Sequence, residues 1–181
     1  SAWDRPSAWR GKGAPTATPL EGCATCLVGG NRTATHNGQR GLWAQQLPGA
    51  GFAVHREQHV PGWDRWVRRA NGGWVRQRAV LDLRVEAPPD APVTYLDVKV
   101  THPCSATYVA GAAGENGFAA QKAEDDKHAR YPANTPGVSG RLVPLVVETY
   151  GRWGKEGLRF LKKAAARTAR RTTALAVLGG E

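Results

Sequence analysis

Apolar and polar residues alternate along two neighbouring runs of the chain, at positions 80–85 and 93–101. Both runs are rich in β-branched and aromatic residues, and a short proline-rich connector separates them, which predicts a β-hairpin. Because successive side chains of a strand point to opposite faces, each run should have an apolar face that packs on the core. The residues of this face are Leu81, Leu83, Val85, Leu96, Val98 and Val100. The opposite face should then bring together Asp82, Asp97 and Lys99.

Helical and strand periodicities alternate along the rest of the chain. Together with the hairpin they predict the order helix, three strands, helix, strand, helix. The remaining elements are predicted at 36–47 (helix), 52–60 (strand), 118–131 (helix), 141–148 (strand) and 155 to about 177 (helix). This order predicts an α/β or α+β fold in which helices pack on a small mixed sheet. No apolar run approaches membrane-spanning length, so we expect no transmembrane segment and no membrane partner.

The charge of the chain favours an anionic partner. Lys and Arg number 25 against 15 acidic residues, so the net charge is +10 and the isoelectric point is about 10.1. Nucleic acid is the first candidate for such a basic chain. The bases cluster in the last predicted helix, with Leu158, Leu161 and Ala165 expected on its inner side. We expect the following residues of that helix to contact phosphates: Lys155, Arg159, Lys162, Lys163, Arg167, Arg170 and Arg171.

Tryptophan and arginine are interleaved at 63–74. Arg65, Arg68 and Arg69 lie among the tryptophans, and such a mixture suits a surface that stacks on bases and contacts phosphates. The alternative is that the tryptophans pack a small core, and for Trp74 we expect the core position.

The polar face of the predicted hairpin has the composition of a metal site. Two carboxylates a few ångströms apart repel each other unless a cation lies between them. Mg²⁺ takes one or two carboxylates together with water and phosphate oxygens, so Asp82 and Asp97 are candidate ligands for Mg²⁺ or Mn²⁺. Lys99 could hold the attacking water or stabilise charge on a phosphate. The alternative is that all three are solvated residues on an edge hairpin.

Lys127 and Tyr131 are four residues apart in the predicted helix at 118–131, so they share a helix face. From this face the pair could reach a scissile phosphate beside Lys99. The alternative is an ordinary exposed lysine that packs along a tyrosine ring.

Cys23 and Cys26 form a Cys-x-x-Cys pair, which is half of a zinc site, and His36 is a candidate third ligand. The alternative is a thiol pair without metal. The cysteines number three, which argues against a secreted disulfide scaffold. Residues 1–22 lack periodicity and predict an extended arm, so the domain is expected at 23–181 with a degenerate Cys/His knuckle at 23–36. The absence of Met predicts a fragment or a processed product, part of a larger polypeptide or complex.

Asp82 and the Asp97-Val-Lys99 motif, in this order of elements, resemble the PD-(D/E)xK superfamily of restriction-like nucleases. A closer resemblance is to the C-terminal endonuclease domain of site-specific non-LTR retrotransposons, and it extends from about Cys23 to Lys163. Three segments in the same order carry it: Leu96-Asp-Val-Lys-Val-Thr-His-Pro103, Lys127-His-Ala-Arg-Tyr131 and Val143-Pro-Leu-Val-Val-Glu-Thr-Tyr-Gly-Arg-Trp-Gly154.

This resemblance implies a restriction-endonuclease-like αβββαβ core and a Mg²⁺-dependent DNA nick. Asp82 and Asp97 would hold the metal, Lys99 or Lys127 would assist, and Tyr131 would support them. A Cys/His zinc knuckle precedes the nuclease in that family, and Cys23, Cys26 and His36 are what this chain retains of it.

Two classes of function follow from the sequence. The first is a metal-dependent DNA endonuclease domain of retroelement origin, which explains why both aspartates, both lysines and the tyrosine occur together. The second is a non-catalytic, nuclease-like protein that binds structured RNA in an assembly such as a ribosome. The extended arm and the basic last helix suit this second class. We favour the enzyme, and for either function we expect an intracellular location in the nucleus or an organelle.

Overall fold

The computed structural model describes residues 29–87 and 92–178. The helices are α1 (Gly29–Gln46), α2 (Val109–Gly114), α3 (Phe118–Arg130) and α4 (Lys155–Leu178). The strands are β1 (Ala53–His59), β2 (Arg65–Arg68), β3 (Trp74–Gln77), β4 (Val80–Glu86), β5 (Thr94–Thr101) and β6 (Arg141–Glu148). Short 3-10 helices occupy Leu47–Ala50 and Pro61–Trp63. Within the described ranges, none of the helices has the length and apolar character needed to cross a bilayer.

The main sheet is mixed and has the strand order β1-β4-β5-β6. The pairs β1–β4 and β4–β5 are antiparallel, whereas the pair β5–β6 is parallel. A parallel pair needs a long crossover connection, and the segment that contains α2 and α3 supplies it. The predictions of an α+β fold, a mixed sheet and the hairpin at 80–101 are therefore confirmed.

Helices cover both faces of the main sheet. On one face Leu83 and Leu96 pack with Phe160 and Ala164 of α4, and Trp43 of α1 lies against the same cluster. On the other face Ala120 and Ala123 of α3 pack on Val146. Burial on both sides explains why β6 is a continuous apolar run rather than an alternating one.

Two side chains of α4 face differently from the prediction. Phe160 and Ala164 of this helix are buried in the core, with Leu161 partly buried beside them. Leu158 is 38% exposed and Ala165 is also exposed. The helical stripe that enters the core is thus rotated relative to the predicted one.

Strict alternation along β4 predicted that Leu81 and Leu83 pack in the same cluster, but the structure places them in different clusters. Leu81 packs with Trp63, Tyr95 and Tyr131 in a separate cluster. The alternation along β4 is interrupted between Leu81 and Leu83, at the position of Asp82.

The hairpin formed by β2 and β3 is a second, two-stranded sheet that the predicted order did not contain. Its strands span Arg65–Arg68 and Trp74–Gln77. The core position expected for Trp74 is wrong, because Trp74 is 66% exposed. Trp63, which is 4% exposed, is the tryptophan of this region that enters the core.

Buried glutamates bind the first backbone N–H groups of two helices. Glu148 of β6 accepts a hydrogen bond from the N–H of Ala120, in the first turn of α3, at 3.0 Å. Glu124 of α3 accepts from the N–H groups of Glu156 (3.0 Å) and Gly157 (3.3 Å), in the first turn of α4. These N–H groups have no partner within their own helix, so Glu148 holds the start of α3 on the sheet and Glu124 holds the start of α4 on α3.

Candidate active site

The carboxyl groups of Asp82 and Asp97 lie side by side where β4 and β5 separate. The ladder between these strands pairs Leu83 with Leu96, and the same register would place Asp82 opposite Asp97. Instead of a ladder bond, Asp82 Oδ2 accepts a hydrogen bond from the Val98 N–H at 2.7 Å. Both aspartates are buried, at 8% and 6% exposure.

Asp97 has an unusual electrostatic environment. Burial raises the pKa of the Asp97 carboxyl, and the neighbouring Asp82 raises it further. Lys127 of α3 acts in the opposite direction, because its Nζ lies 2.5 Å from Asp97 Oδ2. The net effect is a raised pKa, so the folded protein disfavours the charged form of Asp97 at this position.

The raised pKa predicts a specific pH dependence of stability. The folded state holds the Asp97 proton to higher pH than the unfolded state, whose reference pKa is 3.8. Wild type should therefore lose stability as the pH rises from about that value through the higher folded pKa. Asp97→Asn has no carboxyl group to titrate at this position. The unfolding free energy of the variant minus that of wild type should therefore increase across the same pH window. Urea unfolding in EDTA at a series of pH values measures the difference.

Lys127→Met should change the pH dependence of stability in the opposite direction to Asp97→Asn. It removes the cation that lowers the pKa of Asp97, so its stability should fall more steeply with pH than that of wild type. If Asp97→Asn, Lys127→Met and wild type gave parallel curves, Asp97 would have an ordinary pKa and this electrostatic account would be wrong.

Helix α1 supplies a histidine and an arginine as partners of Asp82. His36 Nε2 lies 3.1 Å from Asp82 Oδ2, and Arg40 lies 3.9 Å from Asp82 Oδ1. Arg40 also bonds Glu57 of β1 at 2.6 Å. Glu57 has φ = 53°, in the left-handed region that non-glycine residues rarely adopt. Arg40 therefore contacts both Asp82 and Glu57, and Glu57 has a backbone conformation of the kind that clusters at functional sites.

Arg40 and Glu57 were not among the predicted site residues. Arg40 is one helical turn after His36, and this spacing could have placed both on one face. Glu57 offered no comparable signal, because its position depends on the local backbone of β1.

Lys99 and Lys127 separate into two places. Lys127 contacts Asp97, whereas Lys99 Nζ donates to the Tyr108 hydroxyl at 3.3 Å. Lys99 also lines a cavity of about 310 Å³ with polar neighbours that include His102 and Thr149. The structure therefore pairs the acidic site with Lys127 and leaves Lys99 facing the adjoining cavity.

Tyr131 follows the last residue of α3, where its N–H donates to the Lys127 carbonyl. Its ring is buried against Trp63, with ring centroids 5.4 Å apart. Arg130 lies over the same ring at 5.2 Å. This packing links Tyr131 to the base of the β2–β3 hairpin, and its proposed supporting role in catalysis stays a prediction.

The chemistry of Asp82 and Asp97 fits a hard divalent cation. Their oxygens are the ligand type that Mg²⁺ and Mn²⁺ prefer. Burial opposes the negative charge of Asp97, and a cation between the carboxylates would offset that cost. In the part of the chain that is described, no group of three or more His, Cys, Asp or Glu side chains is arranged to hold a metal. A site made of two carboxylates, water and substrate oxygens does not require such a group.

The structure describes only one of the three residues predicted to bind zinc. Cys23, Cys26 and the predicted arm at 1–22 lie outside the described residues. His36 is described, and its ring contacts Asp82. Zinc binding by these three residues stays a prediction.

The cationic residues predicted to contact nucleic acid lie on α4 and on the β2–β3 hairpin. On α4, Arg167 is half-buried, donates to the Ala50 carbonyl at 3.2 Å and lies over the Phe52 ring. The other cations of that set are exposed: Lys155, Arg159, Lys162, Lys163, Arg170 and Arg171. Those of the hairpin, Arg65, Arg68 and Arg69, are exposed as well.

No family model matches the chain, and no curated protein is significantly similar to it. The function must therefore be inferred from the geometry and charge of the site.

Proposed function

We propose that this protein is a metal-dependent nuclease that hydrolyses a phosphodiester bond in DNA. The observation that carries the proposal is the contact between the buried carboxyl groups of Asp82 and Asp97, with the Lys127 ammonium on Asp97. Two buried acids and a lysine serve a structural core poorly, because each charge must be desolvated. Their combination is useful where charge develops on a phosphate.

The order of the elements supports a finer proposal. If the β2–β3 hairpin and α2 are treated as insertions, the remaining order α1, β1, β4, β5, α3, β6 is the αβββαβ order that the resemblance to PD-(D/E)xK nucleases implies. In such a core Asp82 of β4 and Asp97-Val-Lys99 of β5 would be the residues of the PD-(D/E)xK motif. We therefore propose a restriction-endonuclease-like core, of the type found in site-specific non-LTR retrotransposons.

The residues of the site can be given separate roles. Mg²⁺ or Mn²⁺ held by Asp82 and Asp97 would supply Lewis-acid activation of the phosphate. Lys127 contacts Asp97 in this structure, and it would donate to a phosphate oxygen or orient water once that carboxylate has another partner. Arg40 and His36 hold Asp82 from the opposite side. The exposed cations of α4 would bind the nucleic-acid backbone, since flexible bases without a base-edge pattern contact phosphates.

A different set of contacts favours a second candidate, a non-catalytic protein that binds structured RNA. Each aspartate already has protein partners: Asp82 has the Val98 N–H and His36, and Asp97 has Lys127. Carboxylates with these hydrogen-bond and ion-pair partners would stabilise a nuclease-like fold without taking part in catalysis. Such a protein would keep its basic surface and lack cleavage.

Nicking of supercoiled plasmid DNA distinguishes the two candidates. With Mg²⁺ or Mn²⁺ the nuclease should convert supercoiled DNA to the open-circle form, and EDTA should stop the reaction. Absence of nicking with either metal, together with tight binding of structured RNA, would favour the non-catalytic protein.

A further inference from the structure

The β2–β3 hairpin presents two tryptophans and two arginines on one face. The register pairs Trp66 with Arg76 and Arg68 with Trp74. Directly paired residues share a face, and so do residues two apart on one strand. Trp66, Arg68, Trp74 and Arg76 therefore form a surface in which aromatic and cationic side chains alternate, called here the Trp/Arg face.

Both tryptophans of this face are open to solvent. Trp66 is 65% exposed and Trp74 is 66% exposed. Large aromatic side chains left exposed together usually mark a binding surface. The neighbouring Trp63 behaves differently, since it is buried and its Nε1 donates to the Pro132 carbonyl at 3.0 Å.

The base of the hairpin is fixed to the rest of the fold. Asp64 accepts a hydrogen bond from the Ala79 N–H at 2.8 Å, which lowers the pKa of its carboxyl. It also contacts His59 at 2.9 Å and Arg76 at 3.0 Å. Asp64 thereby ties both ends of the hairpin together, so the Trp/Arg face is pre-positioned.

The hairpin lies next to the acidic site. Ala79 follows the hairpin and precedes Asp82 by three residues, a distance of about 10 Å along a strand. At the same end of the fold, Arg130 of α3 donates to Gln77 of β3 at 3.3 Å. Arg130 is about one helical turn from Lys127, so α3 connects the hairpin to the lysine of the site.

The charge around the face matches a polyanion. Besides Arg68 and Arg76, the hairpin and its flanks carry the exposed residues Arg65, Arg69 and Arg78. The acid of this segment is Asp64, whose side chain is only 4% exposed and already contacts Ala79, His59 and Arg76. Aromatic rings among arginines that outnumber the acid of this segment suit nucleic acid better than an apolar protein surface.

We infer that the Trp/Arg face binds unpaired bases, with Trp66 and Trp74 stacking on them and Arg68 contacting the backbone. A ring can stack only on a base whose face is free, and duplex DNA hides those faces. The inference rests on the proposed nuclease function and narrows its substrate to nucleic acid with a single-stranded segment beside the scissile bond.

Fluorescence anisotropy with the full chain in EDTA tests this inference without any cleavage. The probes are a labelled single-stranded DNA, a blunt duplex, and the same duplex with a single-stranded overhang. Trp66→Ala and Trp74→Ala should each weaken binding of the single strand and the overhang by about fivefold or more. Binding of the blunt duplex should be unchanged, and so should the salt slope, because no cation is removed.

Two further sets of variants separate stacking from other effects. Trp66→Phe and Trp74→Phe retain an aromatic face and should restore much of the binding. Lys163→Gln with Arg170→Gln on α4 should weaken all probes and lower the salt slope by about one unit for each phosphate that is no longer neutralised.

The inference would be overturned if the alanine variants bound the single strand as tightly as wild type. It would also fail if they weakened the blunt duplex equally, which would indicate a general backbone surface or a protein-binding face. Plasmid nicking is measured separately, so loss of this inference leaves the nuclease proposal intact, and absence of nicking leaves the binding result interpretable.

Discussion

Replacement of Asp97 by Asn should abolish plasmid nicking while the protein stays folded. The substitution keeps the size of the side chain but removes a candidate metal ligand and the charge that attracts Lys127. Loss of a group of this kind usually costs a factor of about 10³ or more in rate. Initial rates of open-circle formation in Mg²⁺ measure the effect.

Stability provides an internal control for this result. Because burial raises the pKa of Asp97, Asp97→Asn should be at least as stable as wild type near neutral pH. Loss of activity therefore could not be attributed to unfolding. Asp126→Asn is a matched control, since Asp126 is an exposed acid of α3 that pairs with Lys122, and it should nick at the wild-type rate. Unimpaired nicking by Asp97→Asn would remove Asp97 from the catalytic site.

Replacement of Glu124 by Ala should cause the largest loss of stability. Glu124 is 1% exposed, and its Oε1 accepts from the N–H groups of Glu156 and Gly157. The variant would leave these donors without the carboxylate and open a cavity between α3 and α4. We expect a loss of about 3 kcal/mol, or a fall in Tm of about 6–12 °C.

Two companion variants make the Glu124 result specific. Glu124→Gln retains an oxygen acceptor and should lose clearly less stability than the alanine variant. Asp126→Ala removes an exposed acid of the same helix and should cost about 0.5 kcal/mol or less. Equal Tm values for Glu124→Ala and Asp126→Ala would show that the buried carboxylate does not hold α4 in place.

The elements with strong periodicity could be predicted from the sequence. Strand β6 coincides with the predicted run at 141–148, and α3 and α4 agree within about a residue. Their apolar patterns are long enough to determine both type and extent. The first helix begins at Gly29, earlier than the predicted start at 36. Gly29 and Gly30 are poor helix formers, so helix propensity does not indicate this start.

The β2–β3 hairpin could not be predicted in the same way. Its strands span only Arg65–Arg68 and Trp74–Gln77 and bury no complete face, so periodicity was absent. Trp63 and Trp74 look equivalent in the sequence, and their different burial depends on the contact of Trp63 with Pro132 and Thr135. Such long-range contacts have no local signature.

The acidic site was predictable in its aspartates and not in its surroundings. Alternation along the two strands indicated that Asp82 and Asp97 face the same side. The hydrogen bond from the Val98 N–H to Asp82 and the packing of Leu81 on Trp63 and Tyr131 are long-range contacts that alternation does not indicate. The Arg40–Glu57 pair requires α1 to dock beside β1, which only the tertiary structure determines.

The most direct test of the central claim is a calorimetric titration of Mn²⁺ into the purified protein near neutral pH. Wild type should bind Mn²⁺ at a site that Asp97→Asn weakens strongly and that Asp126→Asn leaves unchanged, since only Asp97 belongs to the acidic site. Identical binding curves for wild type and Asp97→Asn, or no binding to either, would contradict the proposal that Asp82 and Asp97 hold a catalytic metal.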